Sequence, residues 1–196
     1  MALTPSSMPA LGMPAVDFAL PDTVSDRRLG LGQLKSGKAT VVMFLSNHCP
    51  YVKHVLEGLV RLAHDYRSKG VTFIAIGCSD TQTYPEDSPE RMRLLAQRQG
   101  FPFPYLYDES QEVARAYQAA CTPDFFVFDA QLQLAYRGRL DDSRPGNGVP
   151  VTGRDLRGAL NALLAGKAVS QDQQPSLGCS IKWREEAPAA GAFLEF

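Results

Sequence analysis

A chain of 196 residues, 44% of them hydrophobic and 21% charged, is long enough to bury one sizeable core and has the make-up of an ordinary soluble domain. A formal net charge of −1 gives no electrostatic basis for holding nucleic acid or an anionic membrane surface, and no run is long and apolar enough to span a bilayer. Residues 1–16 show neither a basic stretch nor a continuous apolar core, so no export signal is expected. In a reducing cytoplasm, the expected location, the four cysteines read as catalytic, redox-sensing, metal-binding or buried, not as a disulfide scaffold.

Taken in order, residues 1–15 are rich in proline and small residues and are expected to form a loose arm. Val16-Asp17-Phe18-Ala19-Leu20 alternates like a short strand, which Pro21-Asp22 stops. Gly30 to Gly37 reads as a loop with room for a helical turn. The apolar run Thr40-Val41-Val42-Met43-Phe44-Leu45 predicts a buried strand. Beyond it, Val52, Val55, Leu56, Leu59, Leu62, Ala63 and Tyr66 fall at helical spacing, predicting a helix to about Lys69 that Gly70 ends.

Cys49 lies between these two elements, with Pro50 suited to the first helical position. There a thiol faces unpaired backbone N–H groups and the positive end of the helix dipole, both of which favour thiolate. His48 and Lys53 are further sources of positive charge. The competing reading is a buried structural cysteine at an ordinary strand-to-helix turn. The electropositive position favours the reactive one.

Val71-Thr72-Phe73-Ile74-Ala75-Ile76 is a second continuous apolar strand, as a parallel sheet buried on both faces requires. Asp87 or Ser88 is suited to cap a helix that starts at Pro89 and carries Met92, Leu95, Ala96 and Gln99 on one face, with Gly100 ending it. Pro104-Tyr105-Leu106-Tyr107 predicts a short strand, and Ser110 to Ala119 a short helix with Val113, Ala114 and Tyr117 inward. Phe125-Phe126-Val127-Phe128 and Leu132-Gln133-Leu134-Ala135-Tyr136 predict an antiparallel hairpin turned by Asp129-Ala130-Gln131. Thr152 or Arg154-Asp155 opens a last helix with Leu156, Ala159, Leu160, Leu163 and Leu164 inward. Residues 167–196 form a tail without periodicity that holds Trp183. This order predicts an α/β fold, a mixed central sheet with helices on both faces, with a strand and helix inserted near residues 88–119.

That order resembles the thioredoxin superfamily. Gly12-Met13-Pro14-Ala15-Val16-Asp17-Phe18-Ala19-Leu20-Pro21-Asp22 is similar to the entry strand of its redoxin branch, which includes alkyl hydroperoxide reductase and thiol-specific antioxidant proteins. Asn47-His48-Cys49-Pro50-Tyr51-Val52, Tyr84-Pro85-Glu86-Asp87-Ser88-Pro89, Cys121-Thr122-Pro123-Asp124-Phe125-Phe126 and Gly178-Cys179-Ser180-Ile181-Lys182-Trp183 resemble one bacterial subfamily of that branch. The resemblance implies a thioredoxin-like domain over 1–168 with an N-terminal extension, and a tail, 169–196, packed on it. It implies a cis proline at Thr122-Pro123 that holds a partner's chain extended beside the thiol. Asn47, His48, Pro50, Tyr51, Thr122 and Pro123 are then the residues that meet substrate.

This sequence departs from the superfamily at two places. Thioredoxins carry a second cysteine three residues after the first, where this chain has Val52. Peroxiredoxins carry a proline and a threonine before the peroxidatic cysteine and an arginine later. Here Ser46 takes the threonine position, Val42 the proline position and Pro123 the arginine position, which weakens a peroxidase reading. The expected activity is thiol–disulfide exchange: Cys49 attacks a protein or small-molecule disulfide, and a distant cysteine or an external thiol reductant resolves the adduct. A hydroperoxide reductase and a non-enzymatic peptide-binding or redox-sensing module are the alternatives. No organic cofactor, metal, nucleic acid or membrane is implied, and the chain is expected to be a monomer or homodimer.

Of the other cysteines, Cys78 reads as a small apolar strand-end residue. Cys121 and Cys179 are the candidate resolving thiols, with Cys121 slightly ahead and chain movement expected before the bond forms. The rival role for the segment around Cys179 is to bury Ile181 and Trp183 and anchor the tail. His48 and His54 match no familiar zinc spacing, and a solvated helix face accounts for His54. Glu86-Asp87 and Asp141-Asp142 read as acids that cap and turn loops, without a catalytic role.

Overall fold

The computed structural model describes residues 3–184. The elements in order are β1 (Leu3–Pro5), β2 (Ala19–Pro21), β3 (Arg28–Gly30), α1 (Leu31–Leu34), β4 (Ala39–Phe44), α2 (Pro50–Arg67) and β5 (Val71–Gly77). A 3-10 turn (Pro85–Asp87) leads to α3 (Pro89–Gln99), β6 (Tyr105–Tyr107) and α4 (Glu112–Ala116). Then come β7 (Cys121–Thr122), β8 (Asp124–Asp129), β9 (Leu134–Gly138), α5 (Arg154–Leu164) and β10 (Leu177–Ser180).

The central sheet runs β6-β5-β4-β8-β9. β4 and β5 are parallel, as are β5 and β6, whereas β8 runs antiparallel to both β4 and β9. This is the mixed thioredoxin-like sheet that the apolar runs predict. The six residues of β4 are all buried, and strand alternation sends them two ways. Val41, Met43 and Leu45 join a core against α2, α3 and α5, together with Cys49 and Cys179. Val42 and Phe44 join a second core with Phe18, Leu31, Ala114, Tyr117 and Cys78. All seven residues of the predicted α2 stripe are buried. Gly100 ends α3 in the left-handed region at φ 61°, a conformation that costs glycine nothing.

The ends of the chain differ from expectation. The predicted strand at 16–20 is displaced to β2, which pairs with β3 in the register Ala19↔Gly30. Pro21 is tolerated there because a short edge ribbon does not need its N–H. The hairpin turn is longer than predicted, with β9 starting at Leu134 after a β-bulge between Val127 and Phe128. Gln99 is exposed and not on the inner face of α3. The described part of the N-terminal arm is not loose, since β1 pairs antiparallel with β10. The tail lacked periodicity because β10 is only four residues long, yet it pairs on its other side with β7. Residues 1–2 of the arm and 185–196 of the tail lie outside the described residues.

Tyr117 shows how the second core is tied together. Its ring is 0% exposed, meets Phe18, Phe44, Phe126 and Phe128, and its hydroxyl donates to the Val16 carbonyl at 2.8 Å. Tyr117→Ala should therefore cost about 3–5 kcal/mol by cavity formation, and Tyr117→Phe about 1 kcal/mol for the lost hydrogen bond. Urea denaturation of the two variants measures both.

Candidate active site

The backbone between β4 and α2 is short of hydrogen-bond partners, and Asp87 supplies them from the far side of a loop. Its Oδ1 accepts from the N–H groups of Asn47, at 2.6 Å, and His48, at 3.2 Å. Its Oδ2 accepts from Ser46 Oγ and His48 Nδ1, each at 2.8 Å. Burial alone would push this carboxyl up, but hydrogen bonds from His48, Ser79 and Ser46, with the charge of His48, outweigh it and hold the group below its ordinary value. An ionised carboxylate only accepts, so His48 Nδ1 carries the hydrogen. The His48 ring stacks on Tyr84 at 4.6 Å, and the Lys182 ammonium lies 5.5 Å from the Tyr84 centroid. Asp87 was expected to be a loop-capping acid, but it is 3% exposed and fixes the turn before the cysteine.

Cys49 is the N-cap of α2, with Pro50 at the first helical position. Its thiol is 0% exposed and donates to the Thr122 carbonyl at 3.2 Å. Cys49 Sγ lies 2.8 Å from Cys179 Sγ, and both are free thiols. β10 brings Cys179 there: it runs antiparallel to β7 with Cys179 opposite Thr122 and Ser180 opposite Cys121. Burial, then the hydrogen bond and charge of Cys49, push the Cys179 thiol up to about 12, while Lys182 and the Tyr51 backbone amide pull the other way.

Of the two candidate partners, Cys179 is the one in contact with Cys49. Chain movement was expected before either thiol could meet Cys49, but Cys179 already touches it. Cys121 lies on β7 opposite Ser180, one register position from the Thr122–Cys179 pair, and its thiol meets the Pro123 carbonyl at 3.8 Å. Its thiol is pushed up by burial and then by Asp124, Cys49 and Cys179. Cys78, 1% exposed in the second core, is the buried strand-end residue that its position suggested, pushed up by burial and then by Asp108 and Asp87. The segment after Cys179 also anchors the tail: Ile181 is buried, and Trp183 stacks under the Arg115 guanidinium at 4.5 Å.

Among the remaining candidates, the Thr122-Pro123 bond is cis, as the resemblance implies. Asn47 is held by the Glu86 carbonyl and the Tyr105 hydroxyl. Pro50 is exposed, whereas half-buried Tyr51 lines a small cavity with Pro123, Arg139, Asp141 and Arg144. His54 bonds Ser143 at 2.7 Å, and Asp141 accepts the backbone N–H groups that precede α5. Arg137 is engaged by Gln173, and Arg139 by Asp155. Asp124, which follows the cis proline, is buried with no partner for Oδ2. Burial pushes its carboxyl well above the usual range, against hydrogen bonds from the Ala120 and Phe125 amides.

Residues 11–137 match the model of the AhpC/TSA family. The chain is 57% identical to an uncharacterized conserved protein from Geobacillus kaustophilus, with a TM-score of 0.94 over 95% of this chain and 99% of that one. It is 46% identical to a hypothetical protein from Sinorhizobium meliloti 1021, with a TM-score of 0.91 over 93% and 100%. It is also 27% identical over 124 residues to the thiol:disulfide interchange protein DsbE of Allochromatium vinosum. That match covers 63% of each chain, less than two thirds of that relative's length.

The two buried carboxyls should respond to pH with opposite signs. The folded-state value of Asp87 is lowered, so its stabilisation is present above the unfolded value of about 3.9 and is lost as pH falls through the folded one. Asp87→Asn should cost about 1–3 kcal/mol at pH 7 and progressively less as pH falls below about 3.9. The folded-state value of Asp124 is raised, so its ionisation opposes folding above about pH 3.9. Asp124→Asn should be more favourable at pH 8 than at pH 4. Denaturant midpoints across pH 3–8 measure both trends.

Proposed function

The chain belongs to the AhpC/TSA family, and on that basis we propose that it is a thiol–disulfide oxidoreductase in which Cys49 and Cys179 are the redox pair. The observation that carries the reading is the 2.8 Å approach of their sulfurs. In the reduced form Cys49, as thiolate, attacks one sulfur of a substrate disulfide. A Cys49–substrate disulfide forms, the substrate S–S bond breaks, and the leaving thiolate takes the proton that Cys49 gave up. Cys179 then loses its proton and attacks Cys49 Sγ. The Cys49–Cys179 disulfide forms and the second substrate thiol departs. Two electrons have passed from the protein to the substrate, and an external dithiol reductant returns them.

The local structure supports each role. Cys49 occupies the N-cap of α2, with its sulfur beside the Thr122 carbonyl and Cys179. Burial and Cys49 disfavour the anion of Cys179 in this resting form, and Lys182 and the Tyr51 amide act against them. Because Arg137 and Arg139 are engaged elsewhere and Val42 is buried in the opposite core, hydroperoxide turnover is expected to be slow beside disulfide reduction. Stopped-flow reaction with hydrogen peroxide tests this, and a rate rivalling dedicated peroxidases would contradict it.

Mild oxidation should give an intramolecular Cys49–Cys179 bond by non-reducing peptide mapping. The bond should persist in Cys121→Ser and be absent from Cys179→Ser, which should instead accumulate a mixed disulfide at Cys49. A Cys49–Cys121 bond in the wild type would overturn the assignment. Since the cysteines are 130 positions apart, closure should stabilise the oxidised form by about 2–4 kcal/mol. That corresponds to a Tm roughly 5–15 °C above the reduced form.

A further inference from the structure

Two spaces border the segment that carries Cys179. At its Leu177 end, a small cavity beside Tyr51 and Pro123 measures about 20 Å³, room for a single water. At its other end, an open cleft of about 630 Å³ lies between residues 80–84, in the loop after β5, and residues 181–184, which follow β10. That is the size of a small-molecule site. Cys49 is 0% exposed and Cys179 2%, so a dissolved reagent on this side meets the cleft before it meets either sulfur.

The cleft adjoins both halves of the redox pair. Tyr84 lines it, and the Tyr84 ring stacks at 4.6 Å on His48, the residue before Cys49. Lys182 lines it too, with its ammonium 5.5 Å from the Tyr84 centroid, and its charge is felt at Cys179, where it opposes the effect of burial. Of the other charged groups, Arg184 faces two carboxylates, Asp80 at 3.8 Å and Glu109 at 3.7 Å. Asp80 also accepts from the Thr83 hydroxyl at 2.6 Å and from the Gln82 and Thr83 amides. Lys182 meets the Ser180 hydroxyl at 3.1 Å and, among the described residues, no carboxylate. Its carbonyl accepts from the Asp80 amide and from Gln111 Nε2, each at 2.9 Å, so the main chain holds the segment and the side chain is left for the cleft. A half-buried ammonium between aromatic surfaces and without a counter-charge suits a carboxylate on a short apolar stem.

We propose that this cleft binds a low-molecular-weight disulfide whose halves carry carboxylates, and that Lys182 selects for them. The inference rests on the exchange chemistry proposed above and adds the class of small molecule that Cys49 accepts. One carboxylate pairs with the Lys182 ammonium and the stem lies against Tyr84 and Trp183, which keeps the S–S bond beside the redox pair. The Cys49 thiolate attacks one sulfur of that bond, and the other half leaves as a thiolate and takes the proton that Cys49 gave up. Cys179 then displaces the half held on Cys49 and passes its own proton to it. One disulfide has become two thiols, and the Cys49–Cys179 bond has formed. Because both protein sulfurs are buried, exchange needs some of their cover to shift, whereas occupancy of the open cleft does not. The two are therefore measured separately.

Trp183 is the only tryptophan of the chain and lines the cleft, so its fluorescence reports occupancy. The reduced full-length protein is titrated with thiodipropionate, a thioether that cannot exchange, with its uncharged analogue thiodiglycol, and with inorganic phosphate. Thiodipropionate alone is expected to change the fluorescence saturably. Its affinity is expected to fall about fivefold in Lys182→Gln, the upper end for a partly exposed ion pair, and to return in Lys182→Arg. Turnover is then compared between dithiodipropionate and uncharged hydroxyethyl disulfide. Any effect of Lys182 on Cys179 itself is common to both disulfides, so the ratio of their kcat/KM values isolates the cleft. That ratio is expected to fall about fivefold in Lys182→Gln. If Lys182→Gln fails to fold, as circular dichroism would show, the wild-type titration decides. No response to thiodipropionate, or a ratio unmoved by the substitution, would overturn the proposal and leave the exchange chemistry standing. Phosphate bound as tightly as thiodipropionate would assign the cleft to phosphate anions and overturn a carboxylate ligand. Thiodipropionate bound, with neither disulfide reduced, would overturn the exchange chemistry and the substrate assignment with it.

Discussion

The pairing of β10 with β7 decides which sulfur Cys49 faces, because two backbone ladders and not a covalent link hold Cys179 against it. β7 contributes two residues and β10 four, so the pairing is short and leans on β1 for its other edge. Ladder hydrogen bonds of this kind contribute about 1 kcal/mol each net of water. Both thiols are buried where those two ladders meet the start of α2.

A second constraint acts on the turn that presents Cys49. Leaving β4, the chain must expose amides before α2 begins, and buried amides without partners are costly. One carboxylate, Asp87, takes two of them and two side chains as well. The cost of burying that charge is offset by the number of donors around it, the condition under which a buried carboxylate stays ionised. His48, Tyr84 and Lys182 then form one stack. That stack joins the Cys49 turn, the loop carrying Asp87 and the segment that follows Cys179. Three motifs far apart in the chain are thus one physical unit.

The sheet gives this unit a firm base. β4 is paired on both sides and buried on both faces, so its C-terminal end, where Cys49 follows, is held by pairing and packing together. Cys78, one strand away, leaves β5 on the opposite face and falls in the other core. Alternation along the strands, more than distance along the sequence, sorts the four cysteines into two that meet and two that do not.

Much of this was present in the sequence. Apolar runs and the 3.6-residue stripe specified β4, β5 and α2, since burial on both faces and on one helical face are properties of local pattern. The position of Cys49 at a helix start followed from the same pattern, and the motif around Thr122-Pro123 indicated the cis bond. The partner of Cys49 and the role of Asp87 were not legible there. β1 and β10 are too short for periodicity to register, and their pairing depends on a neighbour more than fifty residues away. An acid beside a proline has the same local signature whether it caps a loop or, like Asp87, is carried into the site by a loop that folds back over the turn. Local pattern determined where the thiol sits. Only the long-range return of the chain decided which sulfur it faces, because backbone pairing between distant segments leaves no period in the sequence that encodes it.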